Sequence, residues 1–138
     1  MVDKSIDTTK SSPGDLLSME ERKALGKMIF RLFDFWELSP SDKLNLLGLT
    51  ERNKIMLTRY AKGEALSANR DMMDRAGWLL SIYKSLKILY PQNEEICKSW
   101  ILRRNSIFNN YTPLEVMKEK GIIGLAMVSR YLEHCQQR

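Results

Sequence analysis

Apolar side chains recur every three to four positions along most of the chain, which is the period of amphipathic α-helices. The first such segment begins at Ser18, which stands three residues before Glu21 in the spacing of a capping box. Its apolar stripe consists of Leu25, Met28, Ile29, Leu32, Phe35 and Trp36. No segment alternates between polar and apolar residues as a strand would, and no repeat stands out. We therefore predict an all-α fold.

Residues 39–63 predict two short helices joined by a tight turn. Ser39 is a favourable N-cap for the first helix, and Pro40 suits its first position. Gly48 can adopt the positive φ that ends a helix, and Thr50 can cap the next one. The second helix is basic. A short helix, a glycine turn and a basic second helix are the parts of a helix-turn-helix that reads the major groove of DNA.

A long helix is predicted from about Asn69 to Tyr90. Its apolar residues occupy more than one face, so it needs two packing partners. One partner can be its own domain, and the other is either the C-terminal part of the chain or a second subunit. The residues of these faces are Met72, Met73, Ala76, Trp78, Leu79, Leu80, Ile82, Tyr83, Leu86 and Leu89.

The remaining residues predict three further helices. One spans about 94–104, and residues 109–111 form a turn after it. Thr112 is followed by Pro and, three residues after the cap, by Glu, which is a strong helix start. Gly121 ends that short helix, and a last helix spans about 122–135.

Charge and composition indicate a protein of the cytoplasm. Net charge is +5 and the sequence pI is near 9.3, which permits an anionic partner without requiring one. No apolar run approaches the roughly 20 residues of a membrane span, and the N-terminus shows no secretory signal. Cys97 and Cys135 are the only cysteines and suit reduced thiols better than a disulfide framework. Residues 1–17 are polar and lack periodicity, so we interpret them as a flexible tail.

Candidate catalytic chemistry is scarce. His134 is the only histidine, which argues against a multi-histidine metal site and against a Ser-His-Asp triad. Gly121 and Gly124 lack the Gly-Lys-Ser/Thr ending of a phosphate-binding loop, and a helix boundary with a close packing contact is the better interpretation. We therefore predict no enzymatic activity, no cofactor and no metal.

The basic helix offers a set of candidate DNA contacts. Arginine can bind guanine through two hydrogen bonds and asparagine can bind adenine in the same way, whereas side chains further along reach phosphates. We expect Ile55 and Tyr60 to face the core. A solvated helix face without a DNA partner is the alternative interpretation. The candidates are Arg52, Asn53 and Lys54 for base edges, and Thr58, Arg59 and Lys62 for phosphates.

Taken together, the segments between about Leu25 and Leu132 resemble the antitoxins of the Xre/MbcA/ParS family. The resemblance lies in the order and spacing of several short signals. Asn109 and Asn110 stand where the family often has glycine before its Thr-Pro-Leu turn, and asparagine tolerates the left-handed conformation well. The matching signals are Asp74-Arg75, Ile82-Tyr83 and Leu86 on the long helix, and Trp100, Phe108 and Thr112-Pro113-Leu114 after it.

The resemblance implies a type II antitoxin with an Xre-like helix-turn-helix domain, residues 18–90, and a small helical toxin-binding domain, residues 91–138. Its expected partners are a RES-domain toxin that consumes NAD, operator DNA and a second copy of the chain, paired through the long helix. The alternative is a stand-alone helix-turn-helix regulator whose C-terminal domain dimerises or senses something else. The expected toxin-facing residues are Tyr111, Lys118, Lys120, Arg130, Tyr131, Gln136, Gln137 and Arg138.

Overall fold

The computed structural model describes residues 17–137, and this part of the chain is helical without any β-strand. The all-α prediction is therefore confirmed. The tail proposed for residues 1–17 lies, except for Leu17, outside the described residues. The helices are α1 (Met19–Phe35), α2 (Pro40–Leu46), α3 (Lys54–Ala61), α4 (Arg70–Leu89), α5 (Glu94–Ser99) and α6 (Pro113–Gln136), with short 3-10 turns at Glu51–Asn53, Trp100–Leu102 and Ser106–Phe108.

Side-chain caps determine where the main helices begin. The Ser18 hydroxyl accepts the backbone N–H of Glu21, and the Glu21 carboxylate accepts the N–H of Ser18. Thr112 and Glu115 make the same reciprocal pair at the start of α6. The amide oxygen of Asn69 accepts a backbone N–H in the first turn of α4. Each cap satisfies donors that a helix start leaves unpaired, and the predicted starts are confirmed.

Helix α6 is broken at Gly121, where φ is 62° and ψ is −139°. This backbone conformation is essentially restricted to glycine. Gly124 follows with its α-carbon packed so closely on the Val116 carbonyl that a β-carbon would overlap it. The predicted helix boundary and close packing contact are both confirmed. The kink turns the first part of α6 away from the second.

Helix α4 lies at the centre of the fold, with α1 packed on one side and α6 on the other. Its core positions Leu79, Ile82 and Leu86 are fully buried. The chain itself therefore supplies both packing partners that we predicted for α4. The buried apolar residues form one contiguous cluster from α1 to α6. The division of the chain into two domains, residues 18–90 and 91–138, stays a prediction.

Two polar contacts hold α2 in place. The guanidinium of Arg75, on α4, donates to the carbonyls of Asn45 and Leu46 at 3.4 Å each. These carbonyls belong to the last turn of α2, and that of Asn45 also accepts the backbone N–H of Gly48 at 3.0 Å. Asp71 accepts from Arg75 Nε at 2.9 Å and orients the guanidinium. On the opposite side, the Nζ of Lys118 lies 2.7 Å from a carboxylate oxygen of Asp42.

Among the described helices, none is long and apolar enough to cross a membrane.

Candidate functional site

The α2–α3 unit is built around a turn at Gly48, whose φ is 73°. A β-carbon at Gly48 would lie 2.6 Å from Arg75 Nε, so both the conformation and the space require glycine. Thr50 then opens the 3-10 turn Glu51–Asn53, which leads directly into α3. Leu57 and Tyr60 anchor α3 in the core. The predicted pair of short helices joined by a turn is therefore present.

All six predicted DNA contacts are exposed on or beside α3. Lys54 lies 3.8 Å from the Glu51 carboxylate, and Arg59 lies 3.4 Å from that of Glu64. Such exposed pairs contribute little free energy and separate easily when a polyanion approaches. Arg52 and Lys62 make no ion pair within residues 17–137, and Thr58 is also exposed.

Asn53 already uses its side chain within the chain. Its amide oxygen accepts from the Thr50 hydroxyl at 3.2 Å and lies 3.5 Å from the Thr50 backbone nitrogen. These contacts close a capping box at the start of the 3-10 turn. Binding adenine through both atoms of the amide would require Asn53 to give up this cap. Asn53 is therefore less available than Arg52 for a base edge.

The expected burial of Ile55 was wrong, because its side chain is 66% exposed. The buried positions of α3 are Leu57 and Tyr60, three residues apart. Each residue advances a helix by about 100°, which places Ile55 about 200° from Leu57 and on the outward face. Tyr60 is buried as expected. Isoleucine is usually a buried residue. Here Leu57 and Tyr60 set the side of α3 that packs on the core, and Ile55 lies on the opposite side.

A second candidate surface is a groove of about 830 Å³ beside the first half of α6. Three of the predicted toxin-facing residues, Tyr111, Lys118 and Lys120, line it together. Ile107 and Met127 supply exposed apolar surface to the same groove. The groove lies between the 3-10 turn at Ser106–Phe108 and α6, and residues on both sides of the kink at Gly121 line it. An apolar surface surrounded by charged side chains of both signs can accept a protein segment.

Two further predicted toxin-facing residues, Arg130 and Tyr131, contact aromatic side chains of the fold. Tyr131 is half-buried, stacks on Trp100 with ring centroids 6.4 Å apart, and meets Phe108 edge-on. The guanidinium of Arg130 lies 5.7 Å from the ring centre of Trp78. These contacts join α6 to its neighbours in the fold.

The end of α6 is held in a similar way. The Gln136 side-chain amide donates to the hydroxyl of Ser85 at 2.7 Å. Gln137 is exposed, and Arg138 lies outside the described residues. The described members of the predicted toxin-facing set therefore fall into three residues that line the groove, three that contact other helices and the exposed Gln137. Whether any of its members contacts a toxin stays a prediction.

Sequence reasoning missed three apolar residues near the groove. Ile107 is 57% exposed in its 3-10 turn, and Ile123 and Met127 are exposed on α6. Ile123 and Met127 are four residues apart, so they share one helix face. That spacing was readable in the sequence, but it is equally typical of a buried stripe. Only the packing of α6 shows that this stripe points outward.

The two cysteines differ in environment. Cys97 is fully buried, and its thiol donates to the carbonyl of Leu86 at 3.4 Å. Burial, which disfavours the thiolate, raises the pKa of Cys97; nearby Lys87 acts weakly in the opposite direction. Cys135 is half-buried. In residues 17–137, no cluster of three histidine, cysteine or carboxylate side chains could hold a metal ion.

Comparison with known proteins identifies the class of protein. Residues 85–138 match the family model described as the antitoxin Xre/MbcA/ParS C-terminal toxin-binding domain. This segment contains the last turn of α4, the whole of α6 and every residue that lines the groove except Asn45 of α2, so nearly all of the groove lies in a toxin-binding domain of an antitoxin.

A second similarity covers most of the chain. The chain is 33% identical over 104 residues to the uncharacterized protein y4oB of Sinorhizobium fredii, and the aligned region covers 75% of this chain and 78% of that protein. The chain belongs to the Xre/MbcA/ParS family of antitoxins. No solved structure matches it. The resemblance drawn from the sequence is confirmed.

Proposed function

We propose that this antitoxin neutralises a RES-domain, NAD-consuming toxin and represses its own operon by binding DNA. The observation that carries the proposal is the groove that unites Tyr111, Lys118 and Lys120 within the matched toxin-binding domain. The RES type of the toxin is supported by the sequence resemblance. The DNA-binding half is supported by the exposed basic face of α3.

The groove has the composition of a protein-binding hot spot. Tyr111 is 58% exposed and stands beside exposed Ile107, so an anchor residue of a partner can bury both. Aromatic residues in the centre of such a surface usually carry most of the binding energy. The lining carries both signs of charge, with Lys118 and Lys120 beside Glu115 and Glu119, so a partner needs polar groups of both kinds around its apolar anchor. A toxin segment that combines an apolar anchor with flanking charged or polar side chains fits this groove.

Co-expression with the toxin encoded beside the antitoxin gene tests the first half. Tyr111→Ala and Met127→Glu should abolish rescue of growth, because each changes the apolar surface without removing a core residue. Ile88→Ala is the matched control, since Ile88 is exposed on α4, outside the set of groove residues. Thermal unfolding of the purified variants confirms that they remain folded. Full rescue by both groove variants would contradict the toxin-facing assignment.

The RES type of the toxin has its own test. Cellular NAD should fall when the neighbouring toxin is expressed alone and recover when the wild-type antitoxin is added. The Tyr111→Ala variant should leave NAD low. Toxicity with unchanged NAD would exclude a RES toxin as the partner, whether or not the groove binds it.

Operator binding is tested with the DNA immediately upstream of the gene. Arg52→Ala combined with Lys62→Ala should abolish gel retardation, and wild-type affinity should fall steeply with salt because phosphate contacts release counterions. Lys84→Ala, on α4, is the matched control. We propose that the chain binds as a homodimer to a palindromic site, which light scattering of the complex can establish. Operator binding without any neutralised toxin would favour the stand-alone regulator.

A further inference from the structure

The outward face of α3 carries an isoleucine at its centre. Ile55 is 66% exposed, more than any other large apolar side chain described in the structure. Thr58, Arg59 and Lys62 lie within about 60° of Ile55 around the helix axis. Arg52 precedes it by three residues, at the start of the unit. The face is therefore cationic at its ends and apolar in the middle.

The fold itself gives no reason for an isoleucine at this position. The buried side of α3 is formed by Leu57 and Tyr60, on the other side of the helix. An exposed β-branched residue slightly disfavours the helix compared with alanine or lysine. An apolar side chain in this environment gains free energy only when a partner covers it.

The arrangement of charge around Ile55 limits the chemistry of that partner. Lys54 and Arg59 are paired with Glu51 and Glu64, whereas Arg52 and Lys62 make no ion pair within residues 17–137. These two unpaired cations stand ten residues apart, which is roughly 15 Å along a helix. The major groove of B-DNA is about 12 Å wide and has phosphates on both edges and thymine 5-methyl groups on its floor. Its charge and polarity complement this face.

We propose that Ile55 contacts the 5-methyl group of a thymine in the operator and so selects thymine at one position of each half-site. This proposal rests on the proposed DNA binding by α3. The contact is apolar on both sides and needs no hydrogen bond. Lys62 positions the helix on the phosphates, Arg52 remains available for a base edge, and Ile55 adds sequence discrimination that the phosphate contacts lack.

Replacing thymine by deoxyuridine tests the contact, because this change removes only the methyl group. The probe is a duplex that the full-length wild-type chain selects from a randomised pool. Each thymine is replaced in turn, and the dissociation constant is measured. We expect the affinity to fall about fourfold per half-site when the thymine at one position is replaced, which is the effect of exposing one methyl group.

Protein variants complete a double-mutant cycle with the same duplexes. Ile55→Ala should bind the thymine and deoxyuridine duplexes equally, since the partner of the methyl group is gone. Ile55→Val, which keeps a branched apolar side chain, should retain part of the discrimination. Ile88→Ala is a matched control because Ile88 is 52% exposed on α4. It should discriminate as the wild type does.

Several results would overturn the assignment, and they are distinguishable. If Ile55→Ala kept the wild-type preference for thymine, or if no deoxyuridine substitution mattered, Ile55 would not read a methyl group. If Ile55→Ala instead abolished toxin neutralisation, the residue would belong to a protein interface. If the wild-type chain retained no duplex at all, the proposed DNA binding would fail, and this inference with it.

Discussion

Lys118 and Asp42 form an ion pair with 2.7 Å between Nζ and Oδ1, and this pair joins α6 to α2. The Asp42 side chain is largely buried, whereas Lys118 is 41% exposed and also lines the groove. Asn45, on α2, lines the same groove. A partner bound in the groove would therefore contact both the helix that forms it and the helix that precedes the α3 unit.

Lys118→Met should lower the free energy of unfolding by about 0.5–1 kcal/mol, because Asp42 loses its partner while the apolar stem of the side chain is kept. Urea denaturation at low and high salt measures the effect, which should shrink at high salt through screening. Lys120→Met is the matched control. Lys120 is exposed beside the same groove and makes no ion pair within residues 17–137. Equal losses for the two variants would show that the ion pair contributes nothing.

Two glycines should respond to alanine in opposite directions. Gly48→Ala forces a positive φ on alanine and places its β-carbon against Arg75, so it should destabilise the fold by about 1–3 kcal/mol. Gly77 lies exposed on α4 with no atom near its would-be β-carbon. Gly77→Ala should therefore stabilise the fold by about 0.5–1 kcal/mol. Thermal or urea unfolding of both variants measures the contrast.

Arg75→Lys should lower the free energy of unfolding nearly as much as Arg75→Ala does, by about 1–2 kcal/mol. The guanidinium serves two carbonyls of α2 and the Asp71 carboxylate at once, and an ammonium lacks the planar fork for this geometry. Arg70→Ala, in the exposed first turn of α4, should change stability little. Wild-type stability in the lysine variant would show that charge alone is sufficient.

Cys97 should react far more slowly with a disulfide reagent than Cys135. Burial raises the pKa of Cys97, so its thiolate fraction is lower than that of an ordinary cysteine at any pH below its own pKa. Near pH 8 we expect one fast thiol and one that reacts only as the protein unfolds. The Cys135→Ser variant should lose the fast phase and keep the slow one. A fast phase in that variant would mean that Cys97 is accessible in the native state.

Much of the fold was predictable because its signals are local. The caps at Ser18, Asn69 and Thr112 act on backbone groups within three residues, so their chemistry is complete in the sequence. The positive φ of Asn109 and of Asn110 follows from the tolerance of asparagine for that conformation. Each of these predictions required no knowledge of what packs nearby.

The candidate site was less predictable, because exposure depends on distant residues. Tyr131 has the chemistry of an interface residue, but it stacks on Trp100 in the fold. Ile55 has the chemistry of a core residue, yet it points outward. In both cases the residue type suits either a buried or an exposed position. Only the packing of the helix against its neighbours shows which side of it faces the core.

By itself, the sequence determined the helical class, the starts of the main helices and the family, since these depend on periodicity, caps and the order of short signals. The helix predicted over about 94–104 was too long, because α5 ends at Ser99 and a 3-10 turn follows. The tertiary structure alone decided that α4 finds both of its partners within the chain and that residues on both sides of the kink at Gly121 line a groove with Tyr111. The physical reason is that a side chain is buried only where another helix or turn packs against it. Packing between segments far apart in sequence determines which face of each helix remains for a partner.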